Sequence, residues 1–463
     1  MIEIFILLAK YLFIAYIGVF LIYGLIINLA REDIIEYKIA VGLMKQRLCI
    51  ILFHVTASII LISVNAEENL NQVVGYCVIS LGLLMFVKRL YPESSHLLYN
   101  CIFFLVDIGL IILYRLDSSL AIKQLIWNIA GFVFLTIIPF ILQRMPRLDK
   151  YKKLYIIVSF VMLIFTLVFG SVSGGSKNWI SIGSFGFQPS EIVKLLYVFY
   201  LASALSKRPD FHDVIAPTVI SGLVVIFLVV QKDLGSALIF VMTYLIVLFI
   251  ATSNYLYLIS GIGAVSLASV IAYKLFSHIQ VRVEAWQNPW SDVAGKGYQI
   301  AQSLFAICTW GITGIGLTRG YATSIPVVER DFIFAAICEE FGSIFAIGLL
   351  AIFILILLEG ARGALENRSR FLTLLCAGFT ALLAFQTFLI IGGVTKFIPL
   401  TGVTLPFISY GGTSIVISYI IIGIIQWIIS RNGEYSHDKE IREVDTRERQ
   451  QQVRKPRRKV ARR

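Results

Sequence analysis

The sequence predicts an all-α polytopic membrane protein, and three observations point to it. Hydrophobic residues make up 58% and charged residues 15% of the 463 residues, with a mean hydropathy of +0.84; this balance excludes a soluble globular domain. The apolar residues gather into thirteen runs, and a bilayer core of about 30 Å calls for about 20 such residues per helix. Runs of that size favour helices, which pair their backbone polar groups internally, over barrel strands. Lysine and arginine fall in alternate connecting loops, the charge bias that sets the orientation of a helical membrane protein.

In chain order the runs are Phe5–Ile27, Leu48–Val64, Val73–Phe86, Leu98–Tyr114, Leu125–Leu142, Leu154–Gly170, Ile192–Leu205, Val214–Val230, Ser236–Ala251, Tyr255–Tyr273, Phe332–Leu358, Phe371–Gly392 and Ser414–Ile429. The first is too long, and too weakly basic ahead of its apolar part, for a cleaved signal peptide, which predicts a retained span. Basic residues cluster within Arg31–Arg47, Lys88–Arg89, Arg144–Lys153, Lys207–Arg208 and Arg362–Arg370, and in the tail from Arg431. Positively charged loops stay on the cytoplasmic side. Thirteen spans with a cytoplasmic C-terminus therefore place the N-terminus and the long loop 275–330 outside. The net charge of +12 reflects this topology and calls for no nucleic acid. Residues 431–463 carry too few apolar side chains to bury a core and are expected to be disordered. Their basic end, Arg454–Arg463, suits contact with anionic membrane lipids, and equally a solvated tail that only secures topology. The six cysteines and five histidines are scattered without paired metal-ligand spacing and read as packing residues.

Four polar constellations interrupt this apolar background. The first joins Lys177-Asn178-Trp179-Ile180 to Gln188-Pro189-Ser190-Glu191 and Lys194. Pro189 suits the first turn of a helix, where its missing N–H costs nothing, and Glu191 and Lys194 then share a face at i, i+3. Such a pair is either a structural lock between helices or a group aimed at substrate, and Trp179 is equally an interfacial anchor. The second, Gln231-Lys232-Asp233-Leu234-Gly235, puts Asp233 at a helix N-terminus, where capping alone accounts for a carboxylate. The third runs from Arg282 through Asn288-Pro289-Trp290-Ser291-Asp292 to Tyr298-Gln299, predicted to open a short interfacial helix, and on to Asp331 and Glu339-Glu340. Asp292 is a lone acid in a glycine-hinged loop between spans, within reach of lipid-borne substrates. Two adjacent carboxylates inside a span require a cation, a proton or a water-filled cavity. The fourth, Pro399 to Ser414, contains Ser409-Tyr410-Gly411-Gly412, and its prolines and glycines break the helix near the outer surface, as suits a cavity lining.

In this order and with these spans between them, the blocks resemble the SEDS family (shape, elongation, division and sporulation), typified by RodA, FtsW and SpoVE. The matching motifs are the Trp-Ile segment, Gln-Pro-Ser-Glu, Asp-Leu-Gly, Gly-Tyr-Gln with its preceding Asp, Asp-Phe-Ile-Phe to Glu-Glu, and Leu-Pro-Phe-Ile-Ser-Tyr-Gly-Gly. The resemblance covers about Leu98–Ile429, a ten-helix core over 98–430, which leaves 1–97 as an extension of about three further spans, a candidate docking module separable from catalysis. Asn178, Lys232, Ile390 and Lys396 depart from the family pattern, where Arg, Pro, Asn and a small residue are usual. The resemblance implies a peptidoglycan glycosyltransferase of the bacterial cytoplasmic membrane, acting for division, elongation or sporulation. It would join lipid II units by inverting displacement, releasing undecaprenyl diphosphate, with Asp292 as general base. Arg282, Lys194, Lys396 or a divalent cation are candidates to stabilise the leaving diphosphate. Trp179, Glu191, Ser409 and Tyr410 are further substrate-binding candidates, and Gln188, Pro189, Asp233, Tyr298, Gln299, Asp331, Glu339, Glu340, Gly411 and Gly412 are structural or cavity-lining ones. The implied partner is a class B penicillin-binding protein, the transpeptidase that crosslinks the strands. A flippase for lipid-linked precursors, or a noncatalytic scaffold of a cell-wall complex, is the alternative, since transporters also use intramembrane charges and broken helices.

Overall fold

The computed structural model describes residues 2–29, 36–64, 90–145, 147–173, 176–182, 185–207 and 209–432. The apolar runs emerge as helices in the expected order. They are α1 (Ile2–Leu29), α2 (Glu36–Val64), α3 (His96–Leu116), α4 (Ser118–Arg144), α5 (Lys152–Phe169), α6 (Pro189–Leu205), α7 (Phe211–Val230), α8 (Leu234–Thr252) and α9 (Tyr255–Leu275). Loop 275–330 contributes α10 (Ser277–Gln287) and α11 (Tyr298–Cys308), and α12 (Ile333–Phe341), α13 (Ser343–Leu365), α14 (Arg370–Val394) and α15 (Gly412–Asn432) complete the set. Among the described residues eleven helices are long and apolar enough to cross a bilayer, and the chain is a multi-pass membrane protein. With the shorter α6, twelve of the thirteen runs are helical; Val73–Phe86 lies outside the described residues.

Two expectations change. Phe332–Leu358, read as one span, is two helices that meet at Gly342. That residue has φ +88, and a Cβ there would come within 2.4 Å of the Ile312 carbonyl oxygen, so both the backbone and the close approach require glycine. The helical fold class holds, but a small sheet joins it where only helices and loops were expected. Strands β1 (Ser171–Ser173), β2 (Ser176–Ile182) and β3 (Phe185–Phe187) form an antiparallel meander between α5 and α6. Alternation across Lys177-Asn178-Trp179-Ile180-Ser181 supplies the strand period there, too short to compete with the flanking helices.

α3 lies at the centre of the bundle, with every residue from Leu97 to Tyr114 buried. In contrast, α9 has no buried residue and packs mainly along α8. α1 and α2 pair with each other and seat on the core. The buried face of α1, Ile6, Ala9, Phe13, Ile17, Phe20, Gly24 and Ile27, has helical spacing. It meets α13, where a Cβ at Gly348 would lie 2.9 Å from Ile17. Polar fasteners reinforce the seam. His54 of α2 pairs with Asp107 of α3, Asn28 donates to the buried Glu359 carboxylate at 2.9 Å, and Arg47 donates to Asn100. The described helices of the extension, α1 and α2, are thus built into the bundle.

Candidate functional site

The polar constellations converge on one end of the bundle, around the turn between α14 and α15. Pro189 occupies the first turn of α6 as expected. One turn on, the Lys194 ammonium donates to the Glu191 carboxylate at 2.7 Å, and both side chains are buried. Lys194 also reaches Gln386 Oε1 of α14 at 3.4 Å, and Gln386 Nε2 donates to the Thr404 carbonyl at 2.9 Å. The pair is therefore the anchor of a network that ties α6 and α14 to the turn. Its ammonium is engaged internally, by Glu191 and Gln386.

Asp233 caps α8 by accepting the Ser236 N–H at 3.0 Å. Its second oxygen accepts Asn178 Nδ2 at 2.9 Å and Gln188 Nε2 at 3.0 Å, so β2 and the start of α6 hang on one buried carboxylate. Lys232, where the family has Pro, has φ +63, a conformation closed to proline. Trp179 is half-buried, its ring against Gly186, a placement that supports the meander.

The 399–412 turn is held by its own side chains and by neighbours. Ser409 is buried; its hydroxyl donates to the Arg330 carbonyl and accepts the Leu405 N–H, and its carbonyl accepts Gln124 Nε2. It fastens the turn. The Tyr410 N–H donates to the Glu329 carbonyl, and the Arg330 guanidinium lies over the Tyr410 ring. Gly411 N–H donates to Gln124 Oε1, and a Cβ at Gly412 would sit 2.4 Å from the Trp127 ring.

Facing this turn is α10. Arg282 donates to the carbonyls of Leu400 and Thr401, and Trp286 donates to the Lys396 carbonyl. Lys396, at φ +61, ends the α14 turn. Asp331 Oδ2 and Arg282 Nη2 both approach the Cα-side space of Gly402. Burial pushes the Asp331 carboxyl up to about 6, against the pull of Arg282 and Arg330. His278, one turn before Arg282, is held below its usual range by burial and by Lys232 and Arg282. Cations thus gather at this rim.

Asp292 follows directly. It ends a one-turn 3₁₀ helix, Pro289–Asp292, and is exposed. Its carbonyl accepts the N–H groups of Gly295 and Gly297, and Oδ2 accepts the Lys296 N–H at 3.0 Å. The Lys296 ammonium is taken by Glu284 at 3.1 Å. A Cβ at Gly295 would fall 2.4 Å from Oδ2 and one at Gly297 2.0 Å from the Pro289 carbonyl oxygen, so the glycines let the loop close around the acid. Tyr298 starts α11, a short helix as expected, and its hydroxyl donates to the Ser324 carbonyl. Gln299 is half-buried in the first turn.

Glu339 and Glu340 are both engaged by neighbours. Glu339 accepts the Tyr321 N–H, Glu340 accepts the Thr318 N–H, and Arg115 pairs with Glu340 at 3.0 Å. Arg115, Gln124, Gln386 and Arg330 were not singled out from the sequence, although Gln386 carried a signal, since an amide inside an apolar run must find partners. Among the described residues no group of three or more His, Cys, Asp or Glu is placed to hold a metal ion.

Residues 94–434 match the cell cycle protein family model built on FtsW, RodA and SpoVE. A peptidoglycan glycosyltransferase RodA from Mycobacterium tuberculosis is 32% identical over 371 residues, covering 73% of this chain and 78% of that one. Stage V sporulation protein E of Bacillus subtilis is 31% identical over 372 residues, covering 76% and 100%. Among solved structures, a chain described under structural coordination of polymerization and crosslinking by a peptidoglycan synthase complex superposes with a TM-score of 0.63 at 27% identity, covering 73% and 98%. The rod shape determining protein RodA of Thermus thermophilus gives 0.57 at 25%, covering 73% and 96%.

Proposed function

The chain belongs to the FtsW, RodA and SpoVE family, and from that premise we propose that it is a peptidoglycan glycosyltransferase that polymerises lipid II with Asp292 as its general base. The supporting observation is the presentation of Asp292: an exposed carboxylate on a glycine-closed turn, carried by the same loop as Arg282. In the proposed step the acceptor 4-hydroxyl oxygen attacks the donor anomeric carbon and its proton passes to the Asp292 carboxylate. The bond from that carbon to the diphosphate oxygen breaks, and the electron pair leaves with undecaprenyl diphosphate. One base and a single displacement give inversion. The leaving group is an anion and needs cations more than a proton; Arg282, Lys396 and Arg330 are the rim groups suited to it, with a divalent ion as a further aid.

The alternating basic loops support an orientation in which this rim faces outward and the C-terminus is cytoplasmic. A class B penicillin-binding protein is the proposed partner, supported by the likeness to a chain of a synthase complex that polymerises and crosslinks. The test is polymerisation of lipid II by purified protein, with and without that transpeptidase. Asp292→Asn keeps size and hydrogen-bonding shape but cannot take the proton, and its rate should fall by about 10²–10⁴-fold with insertion and partner binding intact. Wild-type turnover in this variant would remove Asp292 from the role. Lipid II crossing the bilayer without being polymerised by the wild type would favour a transporter.

A further inference from the structure

We propose that α1 is a positioning element of the catalytic unit, clamping the break at Gly342 and the loop 311–321 that caps it. The inference rests on the glycosyltransferase reading for its activity readout alone; the clamp itself is read from geometry. Successive turns of α1 touch that region. Glu3 pairs with Arg319 at 3.0 Å, a Cβ at Gly316 would come within 2.8 Å of Ile6, and the Lys10 ammonium donates to the Gly314 carbonyl at 2.9 Å. Phe13, fully buried, packs edge-on to Phe341 with ring centroids 5.0 Å apart, while Phe341 stacks on Phe345 across the break at 4.7 Å. Phe53 of α2 closes the other side of the same rings.

What α1 holds is a helix end with unusual needs. The last carbonyls of an α-helix have no partner within it. Here the Glu339 and Glu340 carbonyls accept the N–H groups of Ile315 and Gly316, and the Ile312 carbonyl accepts that of Ile344. Loop 311–321 is therefore the cap of α12, and α1 lies against the loop's outer side.

The other end of α12 is at the proposed site. α12 has nine residues, a rod of about 13 Å at 1.5 Å per residue. It begins beside Asp331 and Arg330, whose carbonyl receives the Ser409 hydroxyl, and it packs along α11, the helix that follows the Asp292 loop. A short rod fixed by α1 at one end sets the position of Asp331 and the 399–412 turn at the other. Protein interiors transmit such shifts because they are close-packed. This places α1 in the machinery by way of α12, where the sequence alone suggested a docking module separable from catalysis.

The test uses full-length Lys10→Met, which keeps the apolar stem and removes the donor, and Phe13→Ala with Phe13→Leu as its volume-restoring control. Amide exchange at Ile315, Gly316, Thr318 and Tyr321 and the kcat and KM for lipid II are measured on each. Lys10→Met should speed exchange at these amides about tenfold, the scale of one charge-assisted hydrogen bond. It should also lower kcat several-fold with KM within about twofold, and Phe13→Leu should recover most of what Phe13→Ala loses. Unchanged exchange in Lys10→Met overturns the clamp even if Phe13→Ala fails to fold. Faster exchange with wild-type kcat, or loss of transpeptidase binding alone, overturns the positioning role. A wild type that does not polymerise lipid II would sink the glycosyltransferase reading, and exchange would then decide the clamp by itself.

Discussion

Removing one partner of the Glu191–Lys194 pair should cost far more than removing both. The two groups are 2.7 Å apart and almost fully buried. At an effective dielectric of about 20 their attraction is roughly 6 kcal/mol before desolvation is subtracted, and taking two ions out of water offsets most of that. The pair is thus close to neutral as a unit, whereas a lone buried charge is not. Lys194→Met should destabilise by about 3–5 kcal/mol by leaving the Glu191 carboxylate without its cation. Glu191→Gln should cost somewhat less, because Gln386 Oε1 still faces the ammonium at 3.4 Å. The double variant should cost only about 0–2 kcal/mol, giving a coupling of at least about 2 kcal/mol. The measurement is a double-mutant cycle on denaturant unfolding in mixed micelles. Single-variant costs that sum to the double within about 0.5 kcal/mol would refute the coupling and with it the view that the pair anchors the network through Gln386 to Thr404.

Further outcomes follow from the same geometry. A cysteine at the exposed Ser291 position should react with a membrane-impermeant maleimide in intact cells and one at Lys152 should not; the reverse pattern would invert the proposed orientation. Gly412→Ala drives a methyl into the Trp127 ring and should destabilise by about 1–3 kcal/mol, read as a lower unfolding midpoint; an unchanged midpoint would mean that α4 and α15 can separate freely. Asp331 is raised from its ordinary value to about 6, so its contribution to stability is fully present below about pH 4 and is lost as pH rises to about 6. Asp331→Asn should flatten that part of the stability profile, and an undiminished slope would assign it to other groups.

Helix positions were legible because apolar run length answers directly to bilayer thickness, and the caps at Asp233 and Pro189 were legible because their chemistry is local. Three features were not. The break at Gly342 hides inside Phe332–Leu358 because the residues on both sides are apolar and a glycine within a span is common; its φ follows from the approach of residues 312–314, far away in sequence. The strands at 171–187 are too short to stand out against helical neighbours. Ser409 and Lys194 read as substrate groups because their types suit that chemistry, and only tertiary partners reveal that the hydroxyl and the ammonium are already engaged. Asp292 stood out for the opposite reason, since its loop is local and its glycines are explained by its own backbone.

The charges sort into two populations, and the division bears on where chemistry can occur. Within the bundle, Glu191 with Lys194, Glu340 with Arg115, Glu359 with Asn28 and Ser95, and Asp107 with His54 are internally matched. Such groups are costly to disturb and bind nothing further without breaking a partner. At the rim, Arg282 donates its hydrogen bonds to carbonyl oxygens, with the Asp331 carboxyl within reach of its charge, and Asp292 accepts a backbone N–H, among the described residues. Neither side chain is closed in a salt bridge among the described residues. Under the proposed function, the anionic diphosphate of the substrate belongs at this rim, where side chains are not closed in salt bridges.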